Sequence, residues 1–90
     1  ILIIHGTDTM DKTAEYLRLG LSPNLKIPVV FTGAMKPMGF EDSDATQNVT
    51  EAILATKFCK PGVYISFHGE VFDLPKVRKN KDKLTFERTN

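Results

Sequence analysis

The sequence predicts an α/β fold: a Rossmann-like parallel sheet in βαβαβ order, three-layered, forming an incomplete domain. Three observations predict it. Short β-branched apolar runs recur as "ILII", "VVFT" and "VYISF"; each run is followed by Gly or His-Gly; and apolar residues at helical spacing lie between them. Runs of this length closed by glycine read as strands buried on both faces, and intervening helices read as crossovers between parallel neighbours. Such crossovers are expected to be right-handed.

The first strand is Ile1 to Ile4, closed by His5-Gly6. From Met10 the spacing becomes helical, with Met10, Ala14, Leu17 and Leu21 on one face, Thr7 and Asp8 as N-cap candidates and Gly20 at the stop. Ser22-Pro23-Asn24 makes a turn, Pro28 starts or edges the next strand, and Val29 to Thr32 is its buried part, halted by Gly33. A loop with Pro37 and Gly39 follows. Ser43 or Asp44 then caps a second helix, with Ala45, Val49, Ala52 and Ile53 on one face. Pro61-Gly62 ends that unit and Val63 to Phe67 is the third strand. Beyond His68-Gly69 the pattern weakens into a polar, basic loop, with "KLTFE" as a short extension of β structure. A parallel sheet seldom opens on a bare strand, so the chain reads as a piece of something longer.

Composition excludes several classes. Ninety residues hold one small domain, and the apolar share of 41% is that of a globular chain. No apolar run approaches the ~18 residues of a membrane span. The net charge is +1, although Lys76, Arg78, Lys79, Lys81, Lys83 and Arg88 concentrate half of the basic residues near the end. Without interleaved aromatics that run reads as a solvated face and not as a nucleic-acid surface. Cys59 is the single cysteine, a small packed residue that fits a reducing, cytoplasmic setting.

In open parallel sheets ligands bind beyond the carboxyl ends of the strands. Here those ends carry His5-Gly6-Thr7-Asp8, Gly33-Ala34 and His68-Gly69-Glu70. Thr7 offers a hydroxyl at a helix start, and a lysine can serve as its base; Lys76, Lys79, Lys81 and Lys83 are all candidates by spacing. His5 and His68 are candidate acid–base groups. Two histidines without acidic neighbours at ligand spacing make a poor zinc site, so no metal is expected. "HGTDTMDKT" has one glycine, which fits neither a dinucleotide fingerprint nor a P-loop.

"HGTDTM", then "PVVFTGAMKP", then "SDATQN" closing on a helix together resemble the bacterial-type L-asparaginase family, which includes the asparaginase-like subunit of archaeal Glu-tRNA(Gln) amidotransferase. The likeness covers nearly the whole chain and implies a partial asparaginase N-terminal α/β domain over 1–90. It implies that Thr7 and Asp8 are catalytic, Thr7 in a Thr-Lys-Asp triad and Asp8 also holding the substrate's α-amino group. Matching Val71-Phe72-Asp73 and Val77 to the family puts the triad lysine at Lys79. Ala34 matches a backbone position lining the substrate pocket, while Ser43, Asp44 and Asn48 match a pattern that caps and anchors the second helix.

The implied reaction is hydrolysis of L-asparagine, or of L-glutamine, to the acid and ammonia through a threonine nucleophile, with no cofactor. The family's first threonine motif, T-G-G-T-I, whose threonine the resemblance implies is the primary nucleophile, does not occur in the chain, nor does the smaller C-terminal domain that completes a neighbour's site in a homo-oligomer. Little or no activity is expected from this chain alone. The alternatives are an amidotransferase subunit that releases ammonia for a partner, and a non-catalytic binding or assembly module.

Overall fold

A computed structural model describes residues 1–21, 23–35 and 43–89. Ser22 of the expected turn and Pro37 and Gly39 of the expected loop lie outside the described residues. The elements run β1 (Leu2–Ile4), α1 (Met10–Leu21), β2 (Pro28–Thr32), α2 (Ala45–Phe58), β3 (Gly62–Phe67), β4 (Glu70–Asp73), β5 (Val77–Asn80) and β6 (Thr85–Arg88). The βαβαβ unit is therefore as expected.

The main sheet has the order β1-β2-β3-β4. β1, β2 and β3 are parallel, with Ile3 opposite Phe31 and Val30 opposite Tyr64. Alternation along the strands sorts their side chains onto two faces. Ile3, Val29, Phe31, Val63, Ile65 and Phe67 meet Met10, Ala14 and Leu17 of α1, while Leu2, Val30 and Tyr64 meet Ala52 and Ala55 of α2. Both faces are covered, which gives the three layers and explains why these strands read as continuous apolar runs.

The hand of the crossovers departs from expectation. The strands step in one direction across the sheet, yet α1 and α2 lie on opposite faces, so the two connections have opposite hands. On an ascending strand, an L-residue whose side chain faces the viewer carries its N–H and C=O to the right. Ile3 faces α1, and its odd-numbered neighbours bond towards β2: the Val30 N–H donates to the Ile1 carbonyl at 2.8 Å and the His5 N–H to the Thr32 carbonyl at 2.9 Å. Seen from α1, β2 thus lies to the right of β1, and the α1 connection is right-handed. The α2 connection is left-handed. The usual hand is a tendency that follows from strand twist, and here α2 is pinned by specific polar contacts described below.

The second helix also buries a different stripe from the one expected. Ala45, Asn48, Ala52 and Ala55 face inward, while Ile53 is 46% exposed. A wholly buried asparagine takes the position between Ala45 and Ala52 that the apolar spacing could not assign.

The largest correction lies beyond β3. Residues 70–88 hold three strands: β4 and β5 stand where a loop is expected, and β6 falls on the β extension expected at "KLTFE". β4 returns antiparallel on β3 through the two-residue turn His68-Gly69, with Phe67 opposite Glu70. β5 and β6 form a separate antiparallel pair, Val77 opposite Arg88 and Asn80 opposite Thr85. Sparse apolar residues suffice to anchor these short strands: Phe72, Leu74, Val77 and Phe86 all join the α1-side core. The ring of Phe86 stands edge-on to Phe67 at 5.0 Å.

Candidate active site

The parallel strands deliver their exits to one edge of the sheet: His5-Gly6-Thr7 after β1, Gly33-Ala34 after β2 and His68 after β3. Close approach decides the first of these crossings. A Cβ on Gly33 would fall well inside contact distance of the His5 carbonyl oxygen, so the exits of β1 and β2 pass each other only with glycine there.

Thr7 and Asp8 do not cap α1, which starts at Met10. Their side chains turn instead to the β5–β6 pair. Lys79, on β5, donates from Nζ to Thr7 Oγ1 at 2.9 Å and to Asp8 Oδ1 at 2.7 Å. Of the four lysines that spacing left open, Lys79 is the one that reaches Thr7; Lys76, Lys81 and Lys83 are exposed. The contact spans 72 positions in sequence and depends on the second hairpin folding back over the α1-side core.

Burial grades the three groups. Thr7 is 8% exposed, the Lys79 side chain 13%, and the Asp8 side chain 86%. The hydroxyl and the ammonium are thus shielded, while the carboxylate faces water and remains reachable by a charged small molecule. The hydrogen bond from Lys79 and its charge, with a lesser contribution from Lys81, hold the Asp8 carboxyl below its ordinary value.

The other sequence candidates go elsewhere. Ala34 lines a cleft of about 470 Å³ with Ile4, Gly33, Ala45, Thr46, Val49 and Thr50, which includes neither Thr7 nor Lys79. The His5 ring keeps to its own loop, Nδ1 against the Gly6 carbonyl at 2.6 Å, and presents an edge to Phe31. Cys59 packs beside the α2-side core, where burial and then the Asp73 charge push its thiol up. Among the described residues no group of three or more His, Cys, Asp and Glu could hold a metal ion, and no helix is long and apolar enough to cross a membrane.

Of the two capping candidates, Ser43 Oγ accepts from the Ala45 N–H at 3.2 Å, and Asp44 is used otherwise. Its carboxylate makes no side-chain cap on α2. Oδ2 instead accepts from the Met35 N–H at 3.2 Å and from Asn48 Nδ2 at 3.0 Å, and lies 2.6 Å from His68 Nε2. Asn48, fully buried, also donates to the Gly33 carbonyl at 2.9 Å and accepts from the His68 N–H at 3.1 Å. His68 completes the set through Nδ1, 2.8 Å from Thr85 Oγ1. Local sequence pattern does not reveal the linkage through His68 to Thr85. The one available signal is a His-Gly pair where a two-residue hairpin turn favours Asn-Gly.

Comparison with known proteins is decisive on family. The family model described as "Asparaginase, N-terminal" matches residues 1–87. The chain belongs to the asparaginase family. Within it, this asparaginase-family chain is 38% identical over 73 residues to a Glutamyl-tRNA(Gln) amidotransferase subunit of Methanococcus maripaludis, covering 81% of this chain and 17% of that protein. It is 37% identical over 79 residues to the L-asparaginase of Thermococcus kodakarensis, covering 88% of this chain and 24% of that one. The solved structure of the thermostable L-asparaginase from Thermococcus kodakarensis superposes with a TM-score of 0.87 at 33% identity, over 98% of this chain and 27% of that one. L-asparaginase I of Vibrio cholerae does so with a TM-score of 0.87 at 30% identity, over 99% and 27%. The chain thus spans roughly a quarter or less of the relatives it matches.

Proposed function

We propose that this chain carries the Thr7–Lys79–Asp8 part of an amidohydrolase site that hydrolyses the side-chain amide of L-asparagine to L-aspartate and ammonia. The observation that supports this reading is the position of Lys79 Nζ, within hydrogen-bond reach of both Thr7 Oγ1 and Asp8 Oδ1. An amide carbonyl is attacked by a hydroxyl only if the hydroxyl's proton has somewhere to go. Lys79, in its neutral form, takes that proton and passes it to the departing ammonia. An ester to the threonine oxygen results; water attacks it, and the lysine takes the water's proton and returns it to the threonine oxygen as the acid leaves.

Asp8 has two duties in this scheme. It holds the Lys79 ammonium that follows proton uptake, and its exposed carboxylate receives the α-ammonium of the substrate. The family resemblance also gives Ala34 a place in the backbone wall of the substrate pocket, although the cleft it lines here does not include Thr7 or Lys79. The family resemblance places the primary nucleophile on a further threonine, in sequence outside this chain, so the 1–90 segment is one part of a divided site and is inactive alone. A homo-oligomeric parent in the cytoplasm, working without a cofactor, completes the reading.

A second reading shares the chemistry. The likeness to the amidotransferase protein, at 38% identity, is level with the 37% to L-asparaginase. In that setting the ammonia is passed to a partner and not released.

The test is a chimera in which this chain replaces the matching segment of the Thermococcus kodakarensis L-asparaginase, assayed for ammonia release from L-asparagine. Thr7→Ala in the chimera should lower kcat by a factor of about 10² to 10⁴. A folded chimera that turns over equally well with alanine at position 7 would overturn the reading. Ammonia formed by the isolated 90-residue chain, and abolished by Thr7→Ala, would show that Thr7 works without a second threonine.

A further inference from the structure

Lys79 sits near the tip of the β5–β6 hairpin, one residue before the turn that ends at Leu84. The base of that hairpin is well held. Val77 is in the core, and opposite it Arg88 pairs with Glu70 at 2.5 Å and donates to the Val71 carbonyl at 3.2 Å. Near the tip, Arg78 and Asn80 bond to Glu87, but these contacts lie within the hairpin itself and do not fasten it to anything else. Besides Lys79's own contacts, two side chains fasten the tip to the main sheet: Phe86, opposite Lys79, packs its ring on Phe67 at 5.0 Å, and Thr85 Oγ1 lies 2.8 Å from His68 Nδ1, the polar link among the described residues. Thr85 pairs with Asn80, the neighbour of Lys79.

His68 is placed for this link by its backbone. It occupies the first central position of the β3–β4 turn with φ 47°, followed by Gly69 at φ 83°. That conformation is cheapest for Asn or Gly, so histidine here is not explained by turn preference. Its ring leans on Phe67 at 4.3 Å, and Nε2 is anchored on Asp44 at 2.6 Å. With Nε2 donating to the carboxylate, Nδ1 faces a hydroxyl that can turn to donate or accept, so the bridge forms in either protonation state of the ring.

We propose that His68 is a positioning residue: by bridging Asp44 at the start of α2 to Thr85 at the hairpin tip, it sets Lys79 against Thr7 and Asp8. The Asp44–His68–Thr85 chain thereby couples the β2 exit, where Asp44 holds the Met35 N–H and Asn48 the Gly33 carbonyl, to the lysine of the site. The geometry implies that the hairpin tip and the Ala34 segment keep a common frame although they meet at no direct contact of Lys79 with Ala34. This inference rests on the Thr7–Lys79–Asp8 reading of function, but its test does not need turnover.

The readout is the titration of the Asp8 carboxyl carbon by NMR in the 90-residue chain, since the Lys79 contact holds that group below its ordinary range. His68→Asn keeps the positive-φ turn but cannot span from Asp44 to Thr85. Thr85→Val keeps the strand and removes the hydroxyl; Thr85→Ser restores it. His68→Asn and Thr85→Val should each move the Asp8 midpoint upward and speed amide exchange at Lys79 about tenfold. Thr85→Ser should return both to the wild-type values. A change that merely loosened the fold would leave the Asp8 midpoint of the folded population where it was. Wild-type midpoints in both His68→Asn and Thr85→Val would overturn the proposal. Should Asp8 in the unsubstituted chain titrate as it does in Lys79→Met, the Lys79 contact itself is wrong and the functional reading fails first.

Discussion

Three side chains, none unusual by type, acquire their chemistry from one another. Asp8 is 86% exposed and would titrate ordinarily if it stood alone; the ammonium 2.7 Å away, with its hydrogen bond, lowers its pKa. A carboxyl depressed in the folded state stabilises the fold above its unfolded pKa, and that contribution is lost as pH falls through the folded value. Lys79→Met should therefore return the Asp8 carboxyl towards its ordinary 3.8. The urea midpoint of the unsubstituted chain should exceed that of the variant at neutral pH, and the gap should shrink in acid. An equal gap at both pH values would place the effect of Lys79 in packing and not in charge. Thr7 contrasts with Asp8: at 8% exposed, its hydroxyl has traded water for Lys79.

At the scale of elements, the site depends on strand exits that cross at van der Waals limits. Gly33 follows β2 and passes the His5 carbonyl so closely that a methyl group has no room. Met10 of α1 closes the same space from the side, so relaxation in that direction opens the α1 packing. Gly33→Ala should cost about 1–3 kcal/mol or more, as overpacking of a tight core does. It should also weaken the His5 N–H to Thr32 carbonyl bond that ends the β1–β2 ladder. Thermal unfolding measures the first effect, and amide exchange at His5 the second. An unchanged melting temperature with unchanged protection at His5 would show that the β1 exit can move aside at no cost. The second hairpin makes a different use of its elements: it brings few apolar residues, but Val77, Lys79 and Phe86 share one face, so burying Val77 and Phe86 against the core turns Lys79 inward to Thr7.

At the scale of the whole molecule, Asn48 ties the second helix to the exits of β2 and β3. Its side chain is wholly buried and satisfies the Gly33 carbonyl, the His68 N–H and Asp44 at once. Among the described residues no buried side-chain polar atom lacks a partner, so the network is complete. Complete networks cost little, whereas removing a member exposes the desolvation cost of the rest. Asn48→Leu should lower unfolding free energy by about 2–5 kcal/mol, from two backbone groups left unpaired. Asn48→Asp should do no better, because it loses the donor to Gly33 and adds a negative charge beside Asp44. Chemical denaturation of both variants checks this, and a loss under about 1 kcal/mol in Asn48→Leu would mean that water replaces the amide.

How much of this was legible in the chain follows from the range of the forces involved. Runs such as "VVFT" and "VYISF", and the helical spacing from Met10, determined strands, helices and the three-layer class, because hydrophobic periodicity is local and repeats over a few residues. "HGTDTM" with "PVVFTGAMKP" determined the family and singled out Thr7 and Asp8. Strands β4 and β5, the pairing of β5 with β6, the left-handed α2 connection and the lateral role of Asp44 were decided by tertiary structure alone. Each depends on contacts between residues far apart in sequence, where a single buried Phe86 or Asn48 outweighs a polar local pattern. Spacing by itself left four lysines open and the family resemblance put the triad lysine at Lys79; only the folding of the second hairpin over the core could bring that lysine to Thr7, because no local pattern encodes a contact across 72 positions.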